Sequence, residues 1–293
     1  MGDEAFREAN RPVRTNPTGR QLRLGSELRK LRERAGLTAT QAGLLLGVKQ
    51  NQISNMEAGR VGVSPERVRT LADHYRCADE DVIGALCDMT ADRTRGWWEE
   101  YREILPAPLL DLAEVEHHSG HLRTAVTVHI PGLLQTPEHA REIFRQDAPE
   151  LSPPDIEHRI SFRIKRQAVL FRDPPASQHV VIHEAALRMQ FGGPKVARHQ
   201  LEYLLEMSEH APVTLQVIPF SAGAFAGSGQ SIYYIHGAVP QLDCVNLDQS
   251  HGPVFLDTEA QLQKYRVLLS RIEAIALAPA KSRDFVHTIA RNL

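Results

Sequence analysis

A chain of 293 residues with 42% hydrophobic and 24% charged residues can bury a sizeable core, and it has no apolar run near the 18 or so residues of a membrane span. The first twenty residues, rich in Arg and Pro and without an apolar segment, lack the pattern of a secretory signal, so a cytoplasmic protein with no membrane partner is expected. The net charge of −2 hides an asymmetry, because residues 1–76 carry 14 Lys/Arg against 8 Asp/Glu whereas residues 77–293 carry 20 against 28.

Residues 1–19 are read as a flexible arm, either touching phosphate or idle. Leu24, Leu28 and Leu31 at helical spacing predict an amphipathic helix from Leu22 to Ala35, with Arg and Lys on its other face. From Gly36 to Arg60 the sequence G-L-T-A-T-Q-A-G-L-L-L-G-V-K-Q-N-Q-I-S-N-M-E-A-G-R predicts two short helices joined by a tight turn. Thr38 caps the first by accepting a hydrogen bond from an N–H near Gln41, and Ala42, Leu45 and Leu46 supply its apolar face. Gly47 permits the positive φ of a sharp turn, and Val48 plugs the angle between the helices. The second helix, about Gln50 to Ala58, buries Ile53 and Met56, turns Gln50, Asn51, Gln52, Ser54 and Asn55 outward, and stops at Gly59. Solvated faces usually prefer Lys and Glu. An amide row suits reading, since Gln and Asn pair bidentately with adenine in the major groove.

Ser64-Pro65-Glu66 opens a helix that buries Val68, Leu71, Ala72 and Tyr75, and Asp79 to about Met89, with Val82, Ile83 and Leu86 inside, completes a five-helix bundle over residues 20–90. Trp97, Trp98 and Tyr101 then crowd one helix before Pro106 and Pro108 break it. Residues 91–108 are read as a helical junction whose aromatic side chains pack the two domains together. Residues 109–293 have a mixed texture. An alternating stretch runs from Leu122 to Ile130, strand-like runs occur at 180–183, 213–218, 231–236 and 242–247, and helices are expected at Thr136–Arg145, Asp155–Leu170, Pro194–Glu209, Thr258–Ala276 and from Ser282. The expected fold class is an all-α helix-turn-helix bundle followed by a mixed α+β effector and dimerisation domain.

Two resemblances follow from these residues. Gly36, Leu37, Thr38, Leu46, Gly47, Val48, Ile53, Ser54, Glu57 and Gly59 match the helix-turn-helix pattern of the phage-repressor (XRE) family. Ala39 stands where that family usually has a DNA-contacting Gln, and Lys49 replaces its usual Ser or Thr at the turn. The segments P-G-L-L-Q-T at 131–136, R-x-x-R-Q at 163–167, H-E-A-A-L-R at 183–188, V-I-P at 217–219 and the serine-led helix at 282 resemble those of WhiJ-like regulators. That likeness implies an antitoxin-type transcriptional regulator acting with a small companion protein encoded nearby.

Catalytic and metal chemistry finds little support. His117, His118, His121 and His129 lack the accompanying thiolates or carboxylates of a closed zinc site, and His183-Glu184 is followed by Leu187 where H-E-x-x-H needs its second histidine. The glycine-rich run at 221–229 has neither dinucleotide-binding spacing nor the Lys-Ser/Thr of a phosphate loop. Cys77, Cys87 and Cys244 form no C-x-x-C pair and are expected to be reduced. No cofactor or metal and no enzymatic activity are expected. The bias to 28 Arg over 6 Lys suggests a GC-rich bacterial genome.

The expected function is a sequence-specific transcriptional regulator, homodimeric on double-stranded DNA, whose acidic second domain binds a partner protein or small-molecule effector. The DNA-binding residues are expected to be Thr38, Lys49, Gln50, Asn51, Gln52, Ser54, Asn55 and Arg60, Lys49 on phosphate and the amides on bases. The alternative is a catalytic second domain that the helix-turn-helix merely localises.

Overall fold

Residues 17–91, 96–147, 149–249 and 252–293 are described by a computed structural model, in which the chain divides into two units, Met1–Arg93 and Thr94–Leu293. A helix begins two residues into the described chain. Thr18 accepts a hydrogen bond from the Gln21 N–H at 3.3 Å and Gln21 returns one at 3.0 Å, so α1 (Gly19–Arg34) opens with a capping box inside the expected arm. Residues 1–16 lie outside the described residues.

Four further helices follow in the first unit: α2 (Ala39–Leu46), α3 (Gln50–Glu57), α4 (Pro65–His74) and α5 (Glu80–Ala91). Each is short, so packing and end caps carry it rather than intrinsic propensity. Thr38 and Ser64 each accept from the backbone N–H three residues on, at 3.2 Å in both cases, and Asp79 accepts from the Val82 N–H at 3.1 Å. Leu24, Leu28, Leu31, Ile53, Val68, Leu71, Ala72, Tyr75, Val82, Ile83 and Leu86 are all buried, as the periodicity requires. One expectation fails. Leu45 is 49% exposed and Leu44 78%, and α2 buries Ala42 and Gly43 instead, because Gly43 lies so close to the turn that a Cβ on it would sit 2.7 Å from the Val48 carbonyl oxygen. The helix faces its neighbours along its small-residue side.

Two tertiary contacts seat α3 on α1. Arg32 and Glu57, nearly buried, make a bidentate pair, with Nε donating to Oε1 at 2.6 Å and Nη2 to Oε2 at 2.9 Å, while Nη1 donates to the Leu37 carbonyl at 2.6 Å. At Gly25 the α1 backbone approaches so closely that a Cβ would lie 2.3 Å from the Glu57 carbonyl oxygen.

The second unit begins with a 3-10 turn (Trp97–Tyr101) and α6 (Ala107–His117). The sequence treats this stretch as a junction between domains. Trp98 and Tyr101 join Leu105, Leu110, Ala113 and Phe162 in a buried cluster within the second unit. A six-stranded sheet follows, built from β1 (His121–Val126), β2 (Ser177–His183), β3 (Val213–Ile218), β4 (Ile232–His236), β5 (Cys244–Gln249) and β6 (Gly252–Leu256) in the order β3-β2-β1-β4-β5-β6. The first three are parallel and the last three antiparallel to their neighbours. The helices are α7 (Pro137–Phe144), α8 (Pro153–Gln167), α9 (Glu184–Arg188), α10 (Pro194–Met207), α11 (Glu259–Ile275) and α12 (Pro279–Asn292).

Both faces of the sheet are covered. Val180 and Ile182 pack on one side with Leu201 and Leu204 of α10 and Val286 and Ile289 of α12, whereas Val181 and Ile218 pack on the other with Leu262, Leu269 and Ile272 of α11. That is why the run Val180-Val181-Ile182 of β2 is continuously apolar, with successive side chains buried on opposite faces. The chain is therefore an all-α bundle followed by an α+β domain. Strand β6, with Gly252 and Pro253 and no fully buried side chain, carries no strand signal in the sequence.

Polar side chains tie this second core together. Ser282 at the start of α12 accepts from the buried Val217 N–H at 2.9 Å and donates to the Leu277 carbonyl at 3.0 Å. Gln200 accepts from the Thr136 N–H at 2.8 Å and donates to the Leu134 carbonyl at 2.7 Å. Glu184 accepts from the Phe220 N–H at 2.7 Å. Two of the segments singled out in the sequence, at 183–188 and 282, thus owe a polar residue to backbone groups that would otherwise be buried without a partner, and Gln200 serves the backbone of a third, 131–136.

Glu57→Ala strands the Arg32 guanidinium, and the first unit is expected to lose about 3 kcal/mol, with the unfolding step of the second unit unmoved in calorimetry of the whole chain. Ser282→Ala should do the reverse, costing about 1–3 kcal/mol in the second unit alone through the orphaned Val217 N–H.

Candidate nucleic-acid interface

The α2–turn–α3 segment is held from behind and open in front. Gly47 ends α2 at φ +64°, and the Val48 N–H donates to the Gly43 carbonyl at 2.9 Å, which closes the turn as glycine's freedom allows. Val48 is half-buried beside it. Lys49 is exposed and occupies the position before α3 without a side-chain cap. A lysine has no acceptor to offer, so the first N–H groups of α3 keep their positive end of the helix dipole for another acceptor.

Along α3, Gln50, Asn51 and Gln52 are exposed, while Ser54 and Asn55 are only half-exposed. The outward face is therefore narrower than the sequence suggests and is concentrated in the first turn, because the second turn is seated on α1 through Met56 and Glu57. The Gln50 amide donates to the Ser54 hydroxyl at 3.1 Å, a bond that orients the side chain and leaves its carbonyl oxygen free. Thr38, exposed, spends its hydroxyl within the capping box of α2, where Gln41 also accepts from the Thr38 N–H at 2.8 Å. Arg60 is exposed just past α3, its N–H donating to the Asn55 carbonyl at 2.9 Å. Lys49 and Arg60 thus flank the amide row with positive charge at both ends of the helix.

The electrostatics beneath are neutral by design of pairing. Arg32, whose pKa is raised chiefly by its hydrogen bond to Glu57, cancels that carboxylate, and burial, then Glu57, pushes the Tyr75 hydroxyl up to about 12. Sequence reasoning missed Arg32, Gly25 and the side-chain half of the capping box at Gln41. A lone glycine inside a helical pattern was the available signal for Gly25, but Arg32 and Glu57 stand 25 residues apart, with no spacing rule to join them.

The histidines considered for a metal site are dispersed. His117 and His118 pack against Trp98 at 5.0 and 6.3 Å, His121 against His236 at 4.7 Å, and His129 against Phe191 at 5.2 Å. Among the described residues no three His, Cys, Asp or Glu side chains are grouped to hold a metal ion. His183 caps α9 by accepting from the Ala185 N–H at 3.2 Å. The three cysteines are free thiols, and no helix among the described residues is long and apolar enough to cross a membrane.

Residues 23–86 match a helix-turn-helix domain family, in agreement with the five-helix unit and its exposed α3. No curated protein and no solved structure matches the chain. Residues 109–288 match the family described as Domain of unknown function (DUF5753), so the chain belongs to that family and joins its domain to an N-terminal DNA-binding helix-turn-helix.

Proposed function

We propose that the protein is a sequence-specific transcriptional regulator of the XRE type, reading double-stranded DNA with α3. The observation that carries this is the exposed, uncharged amide row Gln50, Asn51 and Gln52 on a helix whose seating is fixed by Arg32–Glu57 and whose ends carry Lys49 and Arg60. Such a helix enters the major groove with its first turn leading, where the amides meet base edges and Lys49, beside the uncapped N–H groups, meets a phosphate. Thr38, Ser54, Asn55 and Arg60 border that contact. Thr38 and Ser54 act mainly by positioning α2 and Gln50.

The likeness of the second unit to WhiJ-like regulators supports an antitoxin-like role in which this acidic unit receives a companion protein or a small effector. Pairing two copies places two reading helices on half-sites about 34–36 Å apart, which multiplies the few base contacts one helix can make. The small basic bundle must keep its outer side free for phosphate, so the pairing surface belongs to residues 94–293.

Gln50→Ala is expected to cost roughly 1–3 kcal/mol on the preferred operator and much less on random DNA, as measured by titration at fixed salt. Equal losses on both would show that α3 does not read sequence. Lys49→Ala should weaken both DNAs alike and make the salt dependence shallower by about one unit in log–log slope. Sedimentation of the full chain at micromolar concentration is expected to give a dimer. A monomer binding a palindromic operator one to one would sink the paired model.

A further inference from the structure

Arg163 and Arg166 lie one turn apart on α8 and differ in what surrounds them. Arg166 is buried and fully engaged, with Nε and Nη2 donating to the two Glu116 oxygens at 2.8 and 2.6 Å, and Tyr233 donating to the same carboxylate at 2.6 Å. Arg163 makes no ion pair among the described residues. Its Nη1 donates to the Gln135 side-chain oxygen, its guanidinium lies over the Phe144 ring at 4.6 Å, and its Nε is closed off from solvent without a hydrogen-bond partner. The loop backbone also closes on it, since a Cβ on Gly132 would lie 3.5 Å from Arg163 Cζ.

Further buried polar atoms of this unit are equally unpaired. His139 on α7 is 1% exposed and neither ring nitrogen has a hydrogen-bond partner. Thr124 Oγ1 and Asn246 Nδ2 are buried without partners on the two strands that flank Tyr233 in the sheet, opposite it in register. Tyr233 reaches the Glu116–Arg166 pair, so these side chains share the sheet face on which that pair lies. Native interiors seldom leave one such atom unsatisfied, and this part of the unit holds several, together with a guanidinium that has no ion-pair partner among the described residues and feels Asp248 and Glu116 only at a distance. Burial, then Arg166, draws the Arg163 pKa down to about 9, and burial, then His129 and Arg163, draws His139 down to about 4.

The site also has an approach. His129 and Phe191 come from the chain beyond the carboxyl ends of the parallel strands β1 and β2, where ligands of such sheets enter, and Phe191 lies between His129 and His139 at 5.2 and 5.4 Å. His129 and Asp248 are exposed at the rim. By contrast, the cleft of about 130 Å³ bordered by Trp97, Lys165 and Arg172 has its cations committed, Lys165 to Glu100 and Arg172 to the His117 and Ser119 carbonyls.

We propose that Arg163, with His139 near it and Asn246 as a further donor on the same sheet face as Tyr233, anchors a binding site for a small organic anion whose carboxylate or phosphate group lies against the guanidinium. Asn246 donates to the anion through Nδ2, and neutral His139 offers one donor and one acceptor, which selects a ligand with a polar group next to its charge. The site deepens the assignment of residues 94–293 as the effector-binding unit.

The experiment is thermal denaturation of the full chain in anion-poor buffer with added inorganic phosphate or succinate, at matched ionic strength. One of the two is expected to raise the melting temperature of the wild type saturably, by about 3–6 °C at tenfold excess over its dissociation constant. The anion that does so identifies the class. Arg163→Met should abolish the response, Asn246→Asp should do so by placing a competing carboxylate in the site, and Arg145→Met, exposed just past α7, should retain it. Equal responses of wild type, Arg163→Met and Asn246→Asp to both anions would overturn the site. Operator affinity measured with and without the active anion separates the two ideas, because an unchanged affinity beside an intact thermal response upholds the site and rejects only its sensing role.

Discussion

The first unit depends on one contact, the bidentate pair between Arg32 of α1 and Glu57 at the end of α3. A helix of eight residues does not hold its shape alone, and α3 is further weakened by having no side-chain cap. Its orientation therefore comes from its far end, where Glu57 is fixed by Arg32 and where Gly25 lets the α1 backbone come into contact. Because the third guanidinium nitrogen binds the Leu37 carbonyl, the same arginine also fixes the chain entering α2. One side chain thus sets both helices of the reading motif, and the first turn of α3 is left clear for DNA.

The second unit solves a different problem. Its sheet is covered on both faces, so the loops and helix starts around it would bury many backbone groups, and Ser282, Gln200, Glu184 and Gln135 supply their partners. Where those residues finish their hydrogen bonds the core is closed and rigid. Around Arg163 and His139 they do not, and the difference separates polar groups that build the domain from polar groups that await something else.

Charge divides the labour between the units. The first unit keeps a small positive excess, 15 Lys/Arg against 13 Asp/Glu over residues 1–93, and its buried Arg32 is cancelled by Glu57. The larger unit is acidic overall, which disfavours a second nucleic-acid contact and leaves its surface to proteins and small ligands.

Much of this was legible in the sequence. The five helices, their buried leucines and valines, Gly47 at the turn, the amide row of α3 and most strands of the second unit follow from local periodicity, caps and turn chemistry, which act over a few residues. What the sequence could not supply joins residues distant in the chain. The Arg32–Glu57 pair, the exposure of Leu44 and Leu45, the half-burial of Ser54 and Asn55, the placement of Trp98 and Tyr101 within the second core, and the contrast between a paired Arg166 and an unpaired Arg163 each depend on which element packs against which. Local spacing decides which face a helix would bury, but only the packed structure decides what lies on that face, and with it which charges are cancelled and which remain.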